Sequence, residues 1–130
     1  MCDSVRIDCN TYPFLPNKWR LKCHKKTGII ICRPKNIQIC SLADSKIKNN
    51  FPYLEKSLNA NVLDYLLAHP ELIPESWKGS IIFFFGTQYY DSVGNICIRY
   101  LCWFGKEWGW SCRWLNGCSW QTAFIATFEP

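Results

Sequence analysis

Ile81-Ile82-Phe83-Phe84-Phe85-Gly86-Thr87-Gln88-Tyr89-Tyr90, then Asp91-Ser92-Val93-Gly94-Asn95, then Ile96-Cys97-Ile98-Arg99-Tyr100-Leu101-Cys102-Trp103: this stretch decides the fold. Two runs rich in β-branched and aromatic residues flank five turn formers, the pattern of two antiparallel strands. Gly94 sits where a type I turn needs one residue in the left-handed region, so the turn reads as a G1-bulge hairpin. Working outward, Gly105-Lys106 between Phe104 and Glu107 reads as a second tight turn. Asn116-Gly117 reads as a third, because both residues tolerate the positive φ of a type I′ turn. The expectation is a four-stranded antiparallel, Trp-rich meander over residues 80–130.

The turns imply cross-strand rows. One face should carry Phe83, Trp103, Trp108 and Ile125, then Phe85, Leu101, Trp110 and Ala123, then Thr87, Arg99, Cys112 and Gln121, then Tyr89, Cys97, Trp114 and Ser119. It is apolar at one end and should pack on a helix. The other face should carry Tyr90, Tyr100, Arg113 and Trp120 among glycines and small hydroxyls, a shallow relief with stacking platforms and one guanidinium. A slip of one residue would exchange the faces.

The helix comes from residues 54–79. Leu58, Val62, Tyr65 and Leu66 fall on one stripe at helical spacing, widened by Leu63 and Leu67. Asn59 or Asn61 can cap it, and Pro70 ends it. Trp77 in Pro74-Glu75-Ser76-Trp77 should turn back into the core. Residues 43–53 read as a loop. Residues 1–42 read as a basic β-meander. After Pro13 and Pro16, Trp19, Leu21 and Cys23 alternate with Arg20, Lys22 and His24, giving an apolar face and a basic face. Lys25-Lys26-Thr27-Gly28 is a turn, Ile29–Cys32 a return strand, and Ile37 with Ile39 a third. The fold class is therefore α+β: an N-terminal basic β-meander and one central amphipathic helix packed on a C-terminal four-stranded antiparallel sheet.

At 130 residues and 48% hydrophobic, the chain suits one globular domain. No apolar run approaches the ~18 residues of a membrane span. The opening Met1-Cys2-Asp3-Ser4-Val5-Arg6 has no signal-peptide core, so the expectation is a cytoplasmic protein with no membrane partner. Nine cysteines, an odd number without a Cys-x-x-Cys pair, fit a reducing compartment better than a disulfide scaffold. Cys23, His24, Cys32 and Cys40 have the ligand types for zinc but long gaps between them; thiols packed in strands are the plainer reading, and no cofactor is expected.

The stretch from Ser57 through Leu115, in its segments Ser57–Leu67, Leu72–Gly79, Ile82-Phe83-Phe84-Phe85-Gly86-Thr87 and Arg99-Tyr100-Leu101-Cys102-Trp103, resembles small Trp-rich proteins of candidate-phylum bacteria. The resemblance covers a little under half of the chain. It implies a cytosolic bacterial protein with a helix ahead of a Trp-rich meander and brings no activity with it. Cys102 and Cys112 depart from it, standing where aromatics are expected.

Chemistry-bearing motifs are sparse. There is no glycine-rich phosphate loop and no paired-carboxylate motif. His69 ends a helix, where imidazoles commonly bind the last carbonyls. A thiol–imidazole pair such as Cys23 or Cys40 with His69 stays open, because such partners meet in space rather than in sequence. The net charge of +5 is concentrated: up to Cys40 the chain has eight Lys/Arg against two acids. Lys18, Arg20, Lys22, His24, Lys25 and Lys26 could contact phosphates, although a solvated basic face needs no ligand. The expectation is a non-enzymatic binding protein. It would engage nucleic acid, a nucleoprotein or an anionic protein surface through these residues and Tyr90, Tyr100, Arg113 and Trp120. The alternatives are a protein–protein module, such as an inhibitor of a bacterial system carried on a mobile element, and a thiol enzyme or zinc-stabilised domain.

Overall fold

Ten residues, 81–90, have the composition of one long strand, yet the backbone interrupts it in the middle. A computed structural model of the chain describes residues 11–25, 37–41, 57–114 and 123–128. In chain order the elements are β1 (Arg20–His24), β2 (Ile37–Ser41), α1 (Ala60–Ala68), two short 3-10 turns at Pro70–Leu72 and Glu75–Trp77, β3 (Ile81–Phe83), β4 (Thr87–Tyr90), β5 (Ile96–Trp103), β6 (Trp108–Trp114) and β7 (Ala123–Phe128). Among the described residues the architecture is one helix against a strand-rich mixed sheet, broadly α+β. The seven strands form one sheet ordered β1-β4-β5-β3-β7-β2, with β6 on the remaining edge of β5.

The interruption explains that order. Ile82 pairs with Leu101 and Phe83 with Tyr100, but Tyr89 pairs with Cys97 and Tyr90 with Ile96. The β3–β4 side therefore spends three residues more than β5 over the same length. Ser57-Leu58-Asn59 fills the opening. Leu58 N–H donates to the Ala126 carbonyl at 2.9 Å, Gly86 N–H to the Leu58 carbonyl at 3.0 Å, and Phe85 N–H to Ser57 Oγ at 2.9 Å. The main-chain groups left unpaired by the break are thus satisfied by the segment that starts the helix. Only glycine fits at Gly86: a Cβ there would stand 2.8 Å from the Leu58 carbonyl oxygen and 2.9 Å from Asn59 Cα, both rigid backbone.

Helix α1 behaves as its sequence requires. Asn59 caps it, its side-chain oxygen accepting from the Asn61 and Val62 amides, and Ala60 N–H donates to Thr87 Oγ1 at 2.8 Å. His69 closes the other end just before Pro70, its main-chain N–H donating to the carbonyls of Tyr65 and Leu66. Leu58, Val62, Leu63 and Leu66 are buried with Ile37, Ile73, Trp77, Ile82, Phe84, Leu101 and Ala126, and Trp108 and Trp110 pack on this core.

Four expectations are corrected. First, the odd three-residue insertion exchanges the faces of the strand ahead of it, because side chains alternate with period two. Ile82 and Phe84 join the helix-side core, while Phe83 shares a face with Tyr100. Second, β7 does not extend the meander by pairing with β6. It runs parallel to β3, with Phe83 opposite Ile125, and antiparallel to β2. Pairing there places Ile125 and Ala126 in the interior. Third, β1 and β2 join the same sheet as the C-terminal strands, at the two ends of its order on β4 and β7, rather than standing apart from it; the return strand expected between them lies outside the described residues. Fourth, β1 carries a bulge between Leu21 and Cys23: Leu21 faces Tyr89, but Cys23 faces Gln88 and His24 faces Thr87. One extra residue at Lys22 offsets the alternation, so Cys23 joins Arg20 on one face and His24 joins Leu21 on the other. The expected return strand Ile29–Cys32, the turn through Gly28, the loop 43–53 and the Asn116-Gly117 hairpin lie outside the described residues.

Candidate functional site

A strand with alternating residues gives a sheet two faces, and each face here holds an arginine stacked on aromatics. On the helix side, Arg99 of β5 is 1% exposed. Its guanidinium meets the Asp64 carboxylate from α1 in a two-pronged contact, Nη2 to Oδ1 at 2.8 Å and Nη1 to Oδ2 at 3.2 Å. It lies 4.0 Å from the Trp110 ring centroid and 5.2 Å from that of Phe14. Trp19 and Tyr89 complete the surround, with Trp19 5.3 Å from Tyr89 and 6.3 Å from Trp110. Burial pushes the Tyr89 phenol above its ordinary value, and the Arg99 charge works in the opposite direction. Arg99 Nε is buried with no hydrogen-bond partner among the described residues. The sequence signal for this cluster was a cation inside an apolar strand opposite a helix carrying a carboxylate. The Asp64 partnership and the approach of Phe14 and Trp19 were not legible.

The other face holds four of the residues that composition had nominated, Arg20, Tyr90, Tyr100 and Arg113. Arg20 pairs with Tyr90 across β1 and β4, and its guanidinium lies 5.2 Å from the Tyr90 ring centroid. Arg113 of β6 lies 5.5 Å from the Phe83 ring and 5.9 Å from that of Tyr100. Arg20, Lys22 and Cys23 are exposed; Tyr90, Tyr100 and Arg113 are half-buried; Phe83, Phe85 and Ile98 beneath them are buried. The basic strand and three members of the aromatic face thus adjoin, although the sequence presents them as separate surfaces.

Not every nominated residue belongs to that group. Lys18 is exposed, ahead of β1. His24 faces the helix side: Nδ1 is 2.8 Å from Thr87 Oγ1 and Nε2 is 3.1 Å from the Thr11 carbonyl. Lys25 is half-buried, its N–H donating to the Gly86 carbonyl at 2.6 Å and its carbonyl accepting from Asn59 Nδ2 at 2.9 Å. Lys26, Cys32 and Trp120 lie outside the described residues, as does the side chain of Cys40. His69 stacks on Tyr65 at 4.2 Å and places Nδ1 3.1 Å from the Tyr65 carbonyl, the helix-end role expected of it.

Cys23 is an exposed free thiol, Cys97 is buried, and Cys102 and Cys112 are half-buried. Burial pushes the Cys97 thiol up to about 12 and raises Cys102 and Cys112 as well, which holds all three protonated at neutral pH. Among the described residues no three His, Cys, Asp or Glu side chains cluster to hold a metal. No helix among them is long and apolar enough to cross a membrane. Comparison with protein-family models, with curated proteins and with solved structures gave no match.

Proposed function

We propose that the protein is a small, non-enzymatic, cytoplasmic binding protein that engages nucleic acid through β1 and the sheet face it joins. The observation that carries this reading is the Arg20–Tyr90 pair. It sets an exposed cation against a half-exposed ring and continues a face bearing Tyr100 and Arg113. Phosphates would take the cations Arg20 and Lys22, and bases would stack on the tyrosines. The raised thiols of Cys97, Cys102 and Cys112 count against these three as nucleophiles, since the thiolate is the reactive form.

Gel-shift titration at two salt concentrations tests the reading. Binding should weaken steeply with salt. Arg20→Gln with Lys22→Gln should shallow the log–log slope by ~0.9 per lost contact on duplex DNA and ~0.7 on single strands. Tyr90→Ala should weaken binding by ~1–3 kcal/mol with little change in slope. No shift of the wild type at low salt ends this reading and leaves a protein–protein module, which the exposed Tyr12, Phe14 and Leu15 favour.

A further inference from the structure

The segment Tyr12-Pro13-Phe14-Leu15-Pro16 is neither helix nor strand, and it lies across the helix-side face rather than continuing the sheet. Among the described residues, no main-chain to main-chain hydrogen bond ties residues 11–15 to the rest of the chain. Side chains hold it instead. Pro13 is buried, and the Tyr89 hydroxyl donates to the Phe14 carbonyl at 2.9 Å. The Phe14 ring meets Trp110 edge-on at 6.1 Å and caps the Arg99 guanidinium. Asn61 Nδ2 pins the outer end, donating to the Thr11 carbonyl at 2.8 Å and to Thr11 Oγ1 at 3.0 Å.

This segment fits its seat as a ligand does rather than as core. Tyr12 is 71% exposed and Phe14 51%, so much of its apolar surface gains nothing from docking. The seat beneath is built from the sheet: Tyr89 on β4 and Trp110 on β6 flank β5, whose Arg99 is paired with Asp64. An aromatic trough with a tyrosine hydroxyl aimed at a peptide carbonyl, and a buried proline between, is the chemistry by which extended proline-containing peptides are recognised. The return into β1 is strained, since Lys18 takes φ +69 while Trp19 N–H closes a turn on the Pro16 carbonyl at 3.0 Å.

We propose that the trough of Trp19, Tyr89, Trp110 and Arg99 is a docking groove for an extended proline-aromatic peptide of a partner protein, occupied in this structure by the chain's own Tyr12–Pro16. The own segment acts as a competitor in cis, so a partner's affinity is reduced by the fraction of molecules in which the groove is closed. The groove lies on the face opposite Arg20 and Tyr90, so its test reads independently of nucleic-acid binding.

The test uses the full chain and a fluorescein-labelled synthetic peptide with the sequence of residues 11–17. Asn61→Asp removes one of the two side chains at the Thr11 carbonyl, His24 being the other, and puts a carboxylate beside that carbonyl. The same carboxylate in the first turn of α1 suits the helix dipole, so the fold is kept. By fluorescence anisotropy the peptide should bind this variant saturably and at least about tenfold tighter than the wild type. Tyr89→Phe in the same background should weaken binding about fivefold by removing one donor. A peptide with alanine in place of Pro13 and Phe14 should not bind. A folded Asn61→Asp variant that binds no peptide, or that binds the alanine peptide equally well, overturns the proposal. If that variant fails to fold, Asn61→Ser is measured alongside the wild type titrated to millimolar peptide, and absence of saturable binding to both overturns it.

Discussion

Arg99 and Arg113 sit on β5 and β6 of the same sheet, each against aromatic rings, and the protein uses them differently. Arg99 is walled in by Trp110 and Phe14 and held by the Asp64 carboxylate, so its charge is spent inside the molecule. Arg113 lies beside Phe83 and Tyr100 on a half-buried surface that runs on to the exposed Arg20. A buried guanidinium with a carboxylate across a helix–sheet junction fixes how the two layers sit together. Burial, rather than residue type or stacking, separates structure from candidate function.

Four measurements break or sharpen that contrast. Trp110→Ala removes the ring over Arg99 and part of the helix packing; chemical denaturation should show a loss of ~3–5 kcal/mol. A variant melting with the wild type would place the helix on the wrong face. Asp64→Ala should cost about 2–3 kcal/mol, because it strands a buried cation; the carboxylate is 34% exposed, which keeps the loss below that of a fully buried pair. Adding Arg99→Met to that variant should recover much of the loss, and no recovery would show that the ion pair is not the source.

Arg113→Gln tests the other face and should change stability by no more than ~1 kcal/mol. A loss as large as that of Asp64→Ala would make the two arginines equivalent. The smallest effect lies at the hairpin end of the same sheet. The Trp114 indole N–H donates to Asp91 Oδ2 at 2.7 Å, and the amides of Val93, Gly94 and Asn95 each donate to Oδ1 at 2.9 Å. Led by the indole, these donors hold the Asp91 carboxyl at about 2. A depressed carboxylate stabilises the fold above its unfolded value of about 3.9, and that contribution disappears as pH falls through about 2. Trp114→Phe should therefore move the Asp91 titration, followed by NMR, upward toward the ordinary value. An unmoved titration would mean that the backbone amides alone set it.

Legibility followed the distance along the chain over which residues had to meet. The turn at Asp91–Asn95 correctly implied Tyr89 opposite Cys97, and Gly105-Lys106 implied every β5–β6 pair from Trp103 with Trp108 to Cys97 with Trp114. Gly94 and Gly105 both take the positive φ those turns need. The helix stripe, the Asn59 cap and the inward Trp77 were likewise local readings. The register of Phe83 failed because the cause of the break, the Ser57–Asn59 segment, comes from far up the chain. The candidate surface was half legible: cations and aromatics were visible by composition, but their meeting at Arg20 and Tyr90 depends on β1 docking along β4.

By itself the sequence determined the periodic and turn-bound parts of this protein: an amphipathic helix stopped by Pro70, a tight β5–β6 hairpin, and a basic first third. Those features rest on backbone preferences within a few residues, where little loop entropy opposes the pairing. Tertiary structure alone decided the rest. The break at Phe84–Gly86 splits one strand between two partners, β7 leaves the meander for the far side of β3, and the Lys22 bulge turns His24 inward and Cys23 outward beside Arg20. Each of these choices satisfies main-chain donors or buries apolar side chains between segments remote in sequence, and no local pattern encodes which remote segment will supply the partner.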